Sequence, residues 1–343
     1  MNTPELLNGT SSTVALVPQL GMDGGILVVV LIKELFSIAP GSARVTRVGG
    51  AQVRHADEPW DKKAPEASSI QLPADVCIRK PSTDVVVVGN AMSKGGQAVK
   101  QLDVHIEVGP VAKSLRVFGT RVWYRGALGM ALGPPQPFTS VPLKWELAYG
   151  GFDASDANKP PVEEARNPLG RGVARDSDTL VNQLAPQIED PRDLISSART
   201  RPAPAGVGAI GRHWEPRRRY AGTADEKWMK ERMPLQPLDF DERHNQCATP
   251  ELICPEYLKG GEMVKLLNLS AGGAYHFALP RLHFAVTART AQGDTDHRPV
   301  LDTVLLRPSD EETLELTWRT VVPMPRPARR LHYIQVHEKE VLR

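Results

Sequence analysis

At 343 residues the chain can form one large domain or two ordinary ones, and it can bury roughly three quarters of its unfolded surface without disulfides or metal. Forty-one per cent hydrophobic and 24% charged residues are ordinary for a soluble globular protein, and 30 prolines favour turns and extended connections over long helices. With 42 basic and 40 acidic side chains the formal charge is +2, which excludes the broad cationic field that tracks nucleic acid.

Residues 1–24 are polar with Gly and Ser and read as a flexible N-terminal segment. One β-rich domain is expected over 25–343. "GGILVVVLIKELFSIAPG" predicts a buried strand bounded by turn signals. Its apolar run, residues 26–32, falls short of the ~20 residues needed to cross a bilayer. The first basic residue, Lys33, follows that run, whereas a secretory leader places its charge first, so no membrane association or secretory route is expected. "STDVVVVGNA" predicts a second buried strand. In "QLDVHIEVGPVAKSLRVFGTRVWY", Leu102, Val104, Ile106 and Val108 alternate with Asp103, His105 and Glu107, and Gly109-Pro110 breaks the run, as in a hairpin or meander.

Residues 153–219 are rich in Pro, Gly, Asn and Asp and read as a loop-rich surface excursion with one short helix around residues 179–188. Alternation returns in "RLHFAVTART", "PVLDTVLLRP", "TLELTWRTVV" and "RRLHYIQVHE". The fold class expected is mainly β: a single antiparallel sandwich or barrel-like domain with a long irregular insertion and one or two short helices.

The stretch "YAGTADEKWMKERMPLQPLDFDERHN", residues 220–245, concentrates six carboxylates. Thr223 with Glu226 fits a capping box, predicting a helix over 224–232 that Pro234 stops, with Asp225 and Glu226 at its positive end. Asp239 and Asp241 suit a salt-bridged surface turn, with Arg217, Arg218 and Arg219 as partners. The alternative is a hydrolase using Asp225, Asp239 or Asp241, which requires the carboxylates to converge on one bond. "HWEPRRRY" carries the aromatic and Arg residues that favour interface hot spots. Trp214, Arg217, Arg218, Tyr220, Trp228, Asp239 and Phe240 are therefore the partner-binding candidates.

No catalytic, cofactor or metal site is expected. His244, Cys247 and Cys254 make one close pair where zinc wants two, so Cys247 and Cys254 read as small buried thiols. Three cysteines, with Cys77, are too few and too scattered for a disulfide framework and fit a reduced, cytoplasmic protein. "NPLGRG" lacks a Walker lysine, and no G-x-S-x-G elbow is present.

The ordered set "KPSTDVVVVGNA", "FGTRVW", "LKWELAYGG", "NPLGRG", "HWEPRRRYAGTADEKW", "MPLQPLDFDERHN" and "LDTVLLRPSDEETLELTWR" resembles the bacterial domain-of-unknown-function family 2169 over about residues 25–323. Members of that family are often encoded beside type VI secretion spike proteins and toxins. The resemblance implies an adaptor or chaperone that binds a toxin effector and helps load it onto the spike, through the PAAR tip protein or the VgrG trimer. A structural component of the secreted spike is the other alternative. The family supplies no catalytic residues, and "RHNQCATPEL", with Cys247, departs from its pattern.

Overall fold

The computed structural model describes residues 4–127, 129–324 and 331–339. The β-branched run Ile26–Ser37 forms a strand near the middle of a six-stranded sheet. It pairs antiparallel with Thr13–Leu20 on one side and with Thr313–Pro323 on the other. Thr46–Gly49, a short strand, pairs antiparallel with the last residues of Ile26–Ser37. The sheet continues through Val300–Arg307 to Asp84–Val87, which lies parallel at the far edge. Val85, Val86 and Val87 are all inaccessible to solvent, as expected of a strand covered on both faces.

A five-stranded antiparallel sheet runs in the order Ile188–Glu189, Val111–Phe118, Gln101–Val108, Met263–Leu267, Tyr275–Ala278. Its two longest strands form the expected hairpin: Val108 faces Val111, and Gly109 turns the chain at φ 53°, a conformation that only glycine adopts without strain. A four-stranded sheet runs Glu5–Gly9, Leu331–Lys339, His283–Thr290, Gly293–His297. Inner-face residues of all three sheets, such as Val30, Ile106 and Ile334, join one apolar cluster. The protein is mainly β, with several open sheets, no closed barrel and, among the described residues, a single α-helix at Glu226–Glu231.

The N-terminal segment departs from expectation. Glu5–Gly9 and Thr13–Leu20 are strands in two different sheets, and Val14 and Leu16 pack against the main core. Their polar neighbours mask this pattern, because an edge strand keeps one side in water.

The segment expected as a surface excursion is only partly one. Its first portion folds over a small apolar cluster of its own, including Trp123, Tyr149, Leu180 and Ile195. The helix expected around 179–188 is a single 3-10 turn, Ser177–Leu180. The stretch from Ala205 to Ile210 is buried throughout. Its backbone is satisfied by sheet neighbours, with the Val87 amide donating to Val207 O at 3.1 Å and the Ile210 amide to Cys247 O at 2.8 Å. Small residues let this strip slide under the Trp145 ring, whose Nε1 donates to Ala209 O at 3.0 Å.

The alternation in Thr313–Pro323 produces an unexpected layer. Leu314, Leu316 and Trp318 face the apolar core. On the opposite face Glu315, Thr317 and Arg319 are buried too. Residues 50–80 cover them and bring counter-charges. Lys33 contacts Asp75 at 2.7 Å and Glu315 at 3.1 Å, and Arg54 contacts Glu315 at 2.9 Å. Arg319 pairs with Asp302 and donates to Cys77 O and Asp75 O at 2.7 and 2.8 Å. Lys80 pairs with Asp84 at 2.9 Å. Charges so buried persist only when each is matched, so the network fixes how residues 50–80 dock.

Candidate functional site

Residues 211–246 form a lobe against one end of the six-stranded sheet, and their own side chains hold it. Arg217 is buried; its Nη1 donates to Ile210 O at 2.5 Å and its Nε to His244 O at 3.0 Å. The His244 ring returns a bond from Nδ1 to Arg217 O at 3.0 Å. This reciprocal tie joins two 3-10 turns, Arg217–Tyr220 and Glu242–Asn245. Burial lowers the pKa of both Arg217 and His244. Trp214 is buried edge-on against Trp145, with centroids 5.9 Å apart. Trp214 and Arg217 thus belong to the interior, which removes them from the surface candidates. Their aromatic and guanidinium groups supply a core and a backbone tie.

The helix is capped two residues later than the sequence suggests. Asp225, not Thr223, accepts from the Trp228 amide at 2.8 Å, and Glu226 opens the helix. Thr223 is held by Asp239 instead: its amide donates to Oδ1 at 2.9 Å and its hydroxyl to Oδ2 at 2.8 Å. Those two donors hold the Asp239 carboxyl below the usual range. Asp241 caps the turn Glu242–Asn245 and pairs with Arg243, which lowers its pKa. Arg218 and Arg219 pair with Glu215, so the arginine run does not serve Asp239 or Asp241. No hydrogen bond links any two of Asp225, Asp239 and Asp241, each of which binds a separate partner.

Of the remaining candidates, Tyr220 lies half-buried under the Arg243 guanidinium, 4.3 Å from its ring centroid. Phe240 packs edge-on to His244, 5.7 Å between centroids. Trp228 is half-buried and donates from Nε1 to Leu235 O at 2.8 Å, while Arg218 and Asp239 are exposed.

The sequence reading missed the apolar surface that this frame displays. None of the six helix residues is buried. Met229, Met233 and Leu238 project into solvent, Leu238 at 79% exposure. Arg232 Nη2 donates to Met22 O at 2.8 Å, tying the helix to the turn after Thr13–Leu20, where Leu20 and Met22 are also exposed. A cleft of about 270 Å³ between this turn and the lobe is lined by Met22, Leu27 and Phe240, among others. The signal was "WMKERMPLQPL", in which Met and Leu recur without a periodic buried face. Unbranched methionines adapt to varied partners, and clustered exposed apolar side chains mark interaction surfaces.

Among the described residues no group of three or more His, Cys, Asp or Glu could hold a metal. Cys247 and Cys254 are buried as expected, and burial pushes both thiols up to about 12. No helix among the described residues is long and apolar enough to cross a membrane.

Residues 23–319 match the family model described as an uncharacterized protein conserved in bacteria (DUF2169). The chain belongs to this family. No curated protein and no solved structure matches it. In this DUF2169 protein the match takes in the lobe, the buried ionic layer and most of the three sheets.

Proposed function

We propose that this DUF2169 protein is a non-enzymatic, cytoplasmic adaptor or chaperone that binds a type VI secretion effector and helps load it onto the spike, through a PAAR-like tip or VgrG. The observation that carries this reading is the exposed Met229, Met233 and Leu238 on a lobe whose base is fixed by Arg217 and His244. A rigid base limits the entropy lost on binding, while flexible methionines accommodate an effector's apolar segment.

Co-expression with the neighbouring toxin and spike-tip genes tests it. A stable complex is expected, and Met229→Glu with Leu238→Glu should dissolve it while the melting temperature stays put. A toxin that remains as soluble and as well secreted in a deletion strain would refute the reading. Recovery of the protein in the secreted fraction would instead make it a structural part of the spike.

A further inference from the structure

Where the four-stranded sheet meets the strands Val300–Arg307 and Thr313–Pro323, the surface opens into a groove of about 750 Å³. This volume lies in the range of ligand clefts, and the groove is separate from the methionine-bearing lobe in its lining residues. Its floor is apolar, with half-buried Tyr257 and Leu282 beside two interior rings. Phe284 and Trp318 pack edge to face with centroids 5.0 Å apart, and both are buried.

Its rim is basic. Lys259, Arg298 and Lys339 line the groove and are exposed. Among the described residues none of these three side chains takes part in an ion pair or a hydrogen bond. The carboxylate lining the groove, Asp296, accepts from Thr287 Oγ1 at 2.8 Å. Three cations against that one acid leave a local excess of two positive charges, in a chain whose total is +2. Elsewhere on the surface Arg289 pairs with Asp294 at 2.8 Å and Lys265 with Glu107 at 2.8 Å.

We infer that this groove binds an acidic peptide segment carrying an aromatic or large aliphatic anchor. The inference rests on the reading of the chain as a protein-binding module. Charge complementarity selects carboxylates for the rim, since three exposed cations that no described residue pairs steer and hold anions. The apolar floor of Tyr257 and Leu282 selects an apolar side chain between those carboxylates, as at the centre of protein interfaces. A nucleic acid fits less well. The two aromatic rings stack on each other's edges in the interior and offer no open face to a base, and three cations make too short a track for a phosphate backbone.

Fluorescence anisotropy with the full chain tests this, using a short labelled peptide of Asp and Glu around a single Phe. Saturable binding is expected, weakening with salt and falling at least about tenfold in Lys259→Glu/Arg298→Glu. Both side chains are exposed, so the thermal melt should not move; Arg298→Gln serves if the double variant does not fold. The same peptide with Lys in place of Asp and Glu should not bind. No binding, binding indifferent to the charge reversal, or equal affinity for a single-stranded oligodeoxynucleotide would each overturn the inference. The outcomes separate it from the adaptor reading. An effector complex that forms and survives the double variant, without peptide binding, ends the groove alone. Peptide binding without any effector complex ends the adaptor reading alone.

Discussion

Asp239 grips Thr223 with both carboxylate oxygens, one on the amide at 2.9 Å and one on the hydroxyl at 2.8 Å, and so closes the loop that carries the helix Glu226–Glu231. Two exposed groups thereby fix where a short helix begins. Asp239→Ala should release this loop. Amide exchange should quicken over residues 223–235 while the global melting temperature barely changes. Asp225→Ala removes the cap itself and should cost the helix about 1 kcal/mol, seen as lost protection at the Trp228 amide. Unaltered protection in both variants would show that neither carboxylate positions the helix.

The buried ionic layer makes a stronger demand. Glu315 touches Lys33 and Arg54 at 3.1 and 2.9 Å, and all three are buried. Glu315→Gln leaves two buried cations to share Asp75. Breaking a buried pair on one side typically costs about 3–5 kcal/mol, and a loss of that order is expected in the urea midpoint with an unchanged slope. A loss below about 1 kcal/mol would mean that water reaches the layer.

Acid should unfold the protein in two stages. Burial lowers the pKa of His244 and of His297, so the unfolded chain takes up those protons first, near the ordinary 6.5. Stability should therefore decline gently as pH drops through and below 6.5. Burial raises the Glu315 carboxyl, but Lys33 and Arg54 outweigh it and leave the group below its ordinary 4.5. Its stabilisation is complete above that value and disappears as pH falls through the lower folded-state pKa, which gives the steeper second stage. Urea midpoints measured from pH 7 downward check both stages. His244→Gln should flatten part of the first and leave the second.

The buried strip at 205–210 tests whether the long irregular region is structural. A methyl group at Gly206 would sit 2.8 Å from three atoms of the Trp145 ring, which Ala209 and Trp214 hold in place. Gly206→Ala should cost about 1–3 kcal/mol through overpacking. Gly208→Ala, where the nearest atom would be 3.7 Å away, is the control and should be nearly neutral.

The strands were legible because β-branched runs and strict alternation dictate them locally, as in Ile26–Ser37 and Gln101–Val108. The cover over Glu315 and Arg319 was not, since Arg54 meets Glu315 across 261 positions and no local pattern encodes such a pairing. At the candidate site, composition singled out the lobe but not the apolar side chains it exposes. Trp214 and Arg217 are drawn inward by Trp145 and by the carbonyls of Ile210 and His244, and the surface passes to methionines and Leu238. The helix start slipped because Asp225 and Thr223 are both good caps, and Asp239 sequesters Thr223.

The longest strand, Ile26–Ser37, takes Thr313–Pro323 as a lifelong neighbour, so one flank waits until residues 313–323 have left the ribosome. During that interval a greasy ribbon is covered on one side by Thr13–Leu20 and bare on the other. Growth of the nascent protein is thus a race between elongation and misassembly, and a product stopped before the second half of this pairing is a candidate for degradation rather than a smaller working unit.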